Sequence, residues 1–91
     1  MMISILGFEI RRKRKFGYEY WIKLSDIKIS EDFKKHMPSQ RKYNQKKDWY
    51  LKHGVFQSNI LLGADFLLKD GFTSYLIAKE LNMIKVPVYF E

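Results

Sequence analysis

The stretch that decides the fold reads Ile60-Leu61-Leu62, Gly63-Ala64-Asp65, Phe66-Leu67-Leu68-Lys69, Asp70-Gly71, then Phe72 to Asn82, and closes on Val86-Pro87-Val88-Tyr89-Phe90. Asn59 to Leu62 is a short apolar run, expected as a buried strand. Gly63 to Asp65 is expected as a tight turn that returns the chain into Phe66 to Lys69 as hairpin partner. Asp70 and Gly71 end that second strand. From Phe72 the apolar spacing becomes helical: Ser74, Ile77, Ala78 and Leu81 share one face of a helix expected to reach Asn82, with Thr73 or Ser74 as N-cap and Asn82 as C-cap. Val86 to Phe90 reads as the last strand. Pro87 has no N–H, so it is expected at a sheet edge, or with pairing that starts only after it. Strand, strand, helix and strand in this order predict an α+β domain with a small mixed sheet.

Working towards the N-terminus, Ser39 is the expected N-cap of a helix running to about His53, closed by Gly54. On a 100° wheel Tyr43, Tyr50 and Leu51 fall to one side, and Arg41, Lys42, Lys46 and Lys52 spread over the other with Trp49 among them. Ser30 is the expected cap of a short helix through Glu31 to Lys35, stopped by Pro38. Residues 25–29 form an extended step. Residues 2–10 and 18–24 read as strands of an N-terminal β-hairpin, with Arg11, Arg12, Lys13, Arg14 and Lys15 at its tip or strand ends. The chain is thus expected to be one domain, 1–91, with a basic hairpin extension over 1–24 and a core over 25–90 containing two to three helices.

Composition narrows the chemistry. The chain has no cysteine, which excludes disulfide frameworks, thiolate metal sites and cysteine nucleophiles. His36 and His53 have no partners at metal-ligand spacing, so no metal site is expected; both are read as surface or helix-end residues. Glu9 and the basic run interrupt the apolar opening before a signal or membrane segment forms, and a cytoplasmic location is the expectation. Of 17 Lys and Arg, 14 lie in residues 11–52 against five acids, a net +9, whereas residues 53–91 sum to −1. Such asymmetry points to a polyanionic partner, nucleic acid first, because clustered cations release counterions from a phosphate backbone. Arg11, Arg12, Lys13, Arg14, Lys15, Lys46, Trp49 and Lys52 are the candidate contacts, with Trp49 placed to stack on a base.

The order of elements from Ile60 to Val88, with Gly71, Ala78 and Pro87 matching without a gap, resembles the ParB/sulfiredoxin-like superfamily; Pro38, Arg41, Lys42, Tyr50 and Gly54 extend the likeness upstream to small ParB-like proteins of bacteria and mobile elements. The resemblance implies a phosphate or nucleotide pocket at the glycine motif, with magnesium where a nucleotide is bound. In ParB the motif continues Glu-Arg-Arg; here Phe72, Thr73 and Ser74 follow, so the pocket is degenerate, and sulfiredoxin's reactive cysteine falls on Thr73, which excludes its reductase chemistry. Read on their own, the residues allow an anion site, from the amides of Phe72, Thr73 and Ser74 at a helix start, two hydroxyls, the close backbone approach that Gly71 permits and countercharge from Arg41 or Lys42, or else only a turn at Asp70-Gly71 with Thr73 and Ser74 as caps. Asp70 is the lone candidate for a metal ligand or catalytic base.

Three functions follow. The first is a nucleic-acid-associated ParB-like binding module with a degenerate pocket. The second is a metal-dependent phosphate-handling enzyme, a nucleotide hydrolase, kinase or weak nuclease using Asp70. The third is a mobile-element regulator acting through a protein partner, on the strength of surplus aromatics such as Phe16, Tyr18, Tyr20, Trp21 and Trp49; an exposed edge at the final strand would separately permit a homodimer.

Overall fold

The computed structural model describes residues 18–91 with their side chains and, before them, the backbone of residues 3–5, 8–10, 13–14 and 17. Two short antiparallel pairs come first: β1 (Ile3–Ile5) with β2 (Phe8–Ile10), and β3 (Lys13–Arg14) with β4 (Gly17–Tyr18). The expected single strand over 2–10 is therefore a hairpin of its own, paired with itself rather than with residues 18–24. β5 (Tyr20–Lys23) joins the main sheet instead.

That sheet has four strands in the order β5, β8 (Lys85–Phe90), β6 (Ile60–Leu62), β7 (Leu68–Asp70). β5 runs antiparallel to β8, β8 parallel to β6, and β6 antiparallel to β7, which makes the sheet mixed as anticipated. Ile60, Leu62, Leu68, Val86 and Val88 are fully buried beneath Ile77 and Ala78 of α3 (Phe72–Glu80). The apolar period of three to four set against the period of two in the strands produces this interface.

α1 (Glu31–Lys35) and α2 (Gln40–His53) fall where their caps place them. Ser39 Oγ accepts the Lys42 N–H at 3.2 Å, and Gly54 closes α2 in the left-handed region at φ 72°. α3 ends at Glu80, and Asn82 then takes φ 56°, the left-handed turn expected after a helix. Two expectations need local correction. Phe66 belongs to the turn after β6, with φ 62° following Asp65 at 57°, so the partner strand starts two residues late, at Leu68. Leu51 is exposed at 61% and does not share the inward face with Tyr43 and Tyr50.

Pro87 gives the third correction, because β8 is an interior strand. The Leu24 N–H donates to the Ile84 carbonyl at 2.9 Å, and hydrogen-bonded pairs alternate along an antiparallel ladder. With the register Trp21 opposite Pro87, that residue sits at a non-hydrogen-bonded pair on the β5 side. Its missing N–H faces β6, and the parallel pairing there begins only at Ile60 opposite Val88. Pairing after the proline, the second half of the expectation, holds on that side.

α2 is tied to α3 at its polar rim. Tyr43 Oη and Lys47 Nζ both donate to the Glu80 carboxylate, and Tyr50 Oη lies 3.7 Å from Met83 Sδ. Partial burial first, and the Glu80 carboxylate second, push the Tyr43 phenol up to about 12. A group whose folded pKa is raised adds stability in full below its unfolded value and loses it as pH climbs through the folded one. The Tyr43 contribution should therefore persist past pH 10 and vanish towards 12. Tyrosinate absorbance during alkaline titration should show one late-ionising tyrosine that Tyr43→Phe removes.

Candidate functional site: the cleft at the start of α3

β7 hands the chain to α3 through Asp70 and Gly71. Gly71 is the N-cap residue, at φ 88° and ψ 28°, so Thr73 and Ser74 lie inside the first helical turn and are not caps. A Cβ on Gly71 would come within 2.3 Å of the Asn59 carbonyl oxygen and 2.8 Å of Ile60 Cα. The close approach that glycine permits here is thus to the chain's own β6 strand.

Around this turn lies a cleft of about 230 Å³ lined by Phe33, His36, Pro38, Lys42, Lys46, Ser58, Asp70, Gly71, Phe72 and Thr73. Each element delivers its residue for an identifiable reason. α1 leans on α3 through the Phe33 and Phe72 rings, 5.3 Å apart, and so closes one wall. Pro38 ends the linker, Ser39 starts α2, and the i, i+4 spacing then puts Lys42 and Lys46 on the same flank one turn apart. Lys46 Nζ donates to Ser58 Oγ on the far wall. Burial first and the Lys42 charge second depress the Lys46 ammonium, with Asp70 pulling the other way. Two cations in mutual repulsion at a helix N-terminus form a site that an anion relieves.

Thr73 is 6% exposed, lines the cleft, and its hydroxyl is engaged by no other described residue. The Asp70 carboxylate accepts the Gly71 N–H at 2.8 Å. His36 Nδ1–H donates to the Asp32 carbonyl at 2.8 Å, which fixes the ring at the end of α1.

Of the residues read from the sequence, the structure brings together Lys42, Gly71, Phe72, Thr73 and Asp70, and adds Lys46, which sequence reading had grouped with the nucleic-acid contacts. Arg41 does not line the cleft. Ser74 is buried at 1% exposure, and its hydroxyl donates to the Ser58 carbonyl at 2.6 Å. The ladder explains why. The Glu91 N–H donates to the Leu62 carbonyl at 2.9 Å, so continuing the register backwards would have residue 87 donate to Ser58. Proline cannot, and the Ser74 hydroxyl supplies the donor that Pro87 lacks.

His36, Pro38, Ser58 and Phe33 escaped sequence reading as cleft residues. Pro38 and Ser39 held the signal for the first two, because a helix–proline–cap junction places its neighbours beside the next helix. Trp49 lies against His53, with ring centroids 4.1 Å apart and planes tilted by 38°, on α2 outside the cleft, and Lys52 is exposed nearby. Arg11, Arg12 and Lys15 lie outside the described residues, as do the side chains of Lys13 and Arg14.

A larger groove of about 460 Å³ lies across Pro38, lined by Met37, Gln40, Tyr43, Leu76, Lys79 and Glu80. Its carboxylate is already held by Tyr43 and Lys47. Among the described residues no three His, Asp or Glu converge as metal ligands, and no helix is long and apolar enough to cross a membrane.

No protein-family model matches the chain. Over 74 residues, 81% of its length, it is 34% identical to the uncharacterized protein ORF326b of Acidianus two-tailed virus, covering 22% of that protein. In three dimensions it is similar to the C2221 form of a pNOB8-like ParB-N domain, with a TM-score of 0.67 at 19% identity over 79% of this chain and 28% of the other. A second pNOB8-like ParB N-domain structure gives 0.60 at 23% identity over 80% and 27%. The chain therefore spans about a fifth of the viral protein and little more than a quarter of the solved chains. Its fold is that of a ParB N-domain.

Proposed function

We propose that this ParB-N-like module associates with nucleic acid and holds one phosphate group in the cleft at the start of α3, while the basic segment 11–15 and the outer cations of α2 follow the remaining backbone. The observation that carries the reading is the convergence of Lys42, Lys46 and the unpartnered Thr73 hydroxyl on the first turn of α3. Amides at a helix start have no intrahelical acceptor, so they and the two ammonium groups offer one anion a closed set of donors. The relative in a virus agrees with a mobile-element setting.

Asp70 supports the binding reading over metal-dependent turnover. It is the only carboxylate among the described residues lining the cleft, and one of its oxygens is spent on Gly71. A metal-assisted hydrolase needs ligands in number and a positioned nucleophile as well.

The test is a titration of labelled duplex and single-stranded DNA at two salt concentrations, with nucleoside triphosphate and magnesium run alongside. Binding should fall steeply with salt and depend weakly on sequence. Thr73→Val should weaken it by about fivefold, the worth of one hydrogen bond. Absence of binding to any of these ligands at low salt would overturn the reading.

A further inference from the structure

An acid in an anion cleft needs a reason. The cleft is furnished almost wholly with donors: the ammonium groups of Lys42 and Lys46, the Thr73 hydroxyl and the first-turn amides of α3. Ser58 Oγ already accepts from Lys46. Asp70 stands apart as an acceptor, held in place by the Gly71 N–H on Oδ1, while its second oxygen takes part in no hydrogen bond among the described residues. An ionised carboxylate can only accept. A fully deprotonated anion seated beside it meets like charge, whereas one bearing an O–H directed at Asp70 gains a short charge-assisted bond. The volume, about 230 Å³, lies below the range of pockets that enclose whole drug-sized ligands, so it suits a phosphate with its immediate substituents.

We propose that Asp70 is a specificity residue that selects anions carrying a hydroxyl donor next to the phosphoryl charge, a sugar phosphate or a phosphate with its own proton, over anions that carry none. The proposal rests on the anion-site reading above, reassigns Asp70 from catalysis to selection, and narrows the phosphate seated in the cleft to a terminal one or one beside a free sugar hydroxyl, internal DNA phosphodiesters being left to the basic surface.

Calorimetric titration without divalent cations, at neutral pH, tests it with inorganic phosphate, sulfate, ribose 5-phosphate and 2-deoxyribose 5-phosphate. Sulfate has the size of phosphate and the charge of its hydrogen-phosphate dianion, but no proton to donate. The wild type should bind phosphate at least about tenfold more tightly than sulfate, the low end of what a charged hydrogen bond is worth. In Asp70→Asn, which keeps an oxygen for the Gly71 N–H but removes the negative charge, sulfate should gain and the gap should close to within about twofold. A preference for ribose over 2-deoxyribose phosphate assigns the donor to the sugar 2-hydroxyl; parity assigns it to a group both share, the phosphate's own proton or another sugar hydroxyl.

Equal binding of phosphate and sulfate by the wild type overturns the role of Asp70 and leaves the anion site standing. An Asp70→Asn variant that keeps the full phosphate preference overturns it as well. Failure of all four anions to bind the wild type overturns the site and the proposal together.

Discussion

Gly71→Ala is expected to cost this domain on the order of 3 kcal/mol, the largest single-methyl penalty in the described chain, and for two separable reasons. The backbone at Gly71 sits at φ 88°, where a side chain costs about 1 kcal/mol or somewhat more. The added methyl would also lie 2.3 Å from the Asn59 carbonyl oxygen and 2.9 Å from its carbon. Those atoms are main chain at the mouth of β6, between two neighbouring strands, and they cannot yield as a flexible side chain would. Overpacking of this kind costs about 1–3 kcal/mol. Against a total stability of about 5–15 kcal/mol the change is severe, lowering the melting temperature by roughly 10–20 °C. Gly54 supplies the control: its φ is 72°, but a Cβ there meets nothing within 4 Å. Gly54→Ala should therefore cost only about 1 kcal/mol. Urea denaturation of both variants separates backbone strain from collision, and equal losses would show that the contact with β6 carries no weight.

Charge reversal in the cleft should produce the largest functional change. Lys46→Glu is expected to weaken phosphate and nucleic-acid binding by about 10- to 100-fold, the worth of a charge-assisted bond, and Lys42→Glu by a similar factor. The two share one ligand and repel each other, so the double variant should fall short of the product of the singles. The salt dependence should drop by about one unit of slope for each phosphate-bound lysine removed. Lys52→Glu changes the formal charge by the same amount on the same helix, at an exposed position outside the cleft. A small loss at Lys52 beside a large one at Lys46 marks a localised site. Equal losses would mean that the basic surface acts as a diffuse field and that the cleft holds nothing.

Much of this was legible before the structure, and the legible parts share a physical cause. Ser39, Pro38, Gly54 and Asn82 act on the backbone beside them, so their caps and stops could be read locally. The apolar run at Ile60 to Leu62 and the helical spacing of Ile77 and Ala78 are likewise short-range signals of a shared core. The errors lie where a distant partner decides. Lys46 stands 60° from Tyr43 on the helical wheel, on the flank that faces inward, yet lysine reads as a solvent residue until Ser58 is seen across the cleft. Arg41 was an equal candidate with Lys42 because nothing local distinguishes neighbours whose side chains leave the helix 100° apart. Ser74 looked like a ligand hydroxyl because its acceptor comes from a carbonyl sixteen residues earlier. The strand over 2–10 read as unbroken because its residues suit β structure throughout and give little sign of where it folds back.

The proline inside β8 has a wider bearing. An interior strand normally binds both neighbours along its whole length, and such a sheet would have drawn residues 58 and 59 into line with β8. Because Pro87 withholds one donor, the sheet opens at that point like a zip stopped short. The segment just before Ile60 is released to lie between α2 and α3, where the Ser58 carbonyl is caught by Ser74 of α3 and its hydroxyl by Lys46 of α2. The floor of the cleft is in this sense made by a hydrogen bond that is never formed. Positions 74 and 87 are accordingly a single choice written in two places: a chain that kept the proline and lost the hydroxyl would bury a bare carbonyl, and one that restored the amide would close the sheet over the space of the cleft.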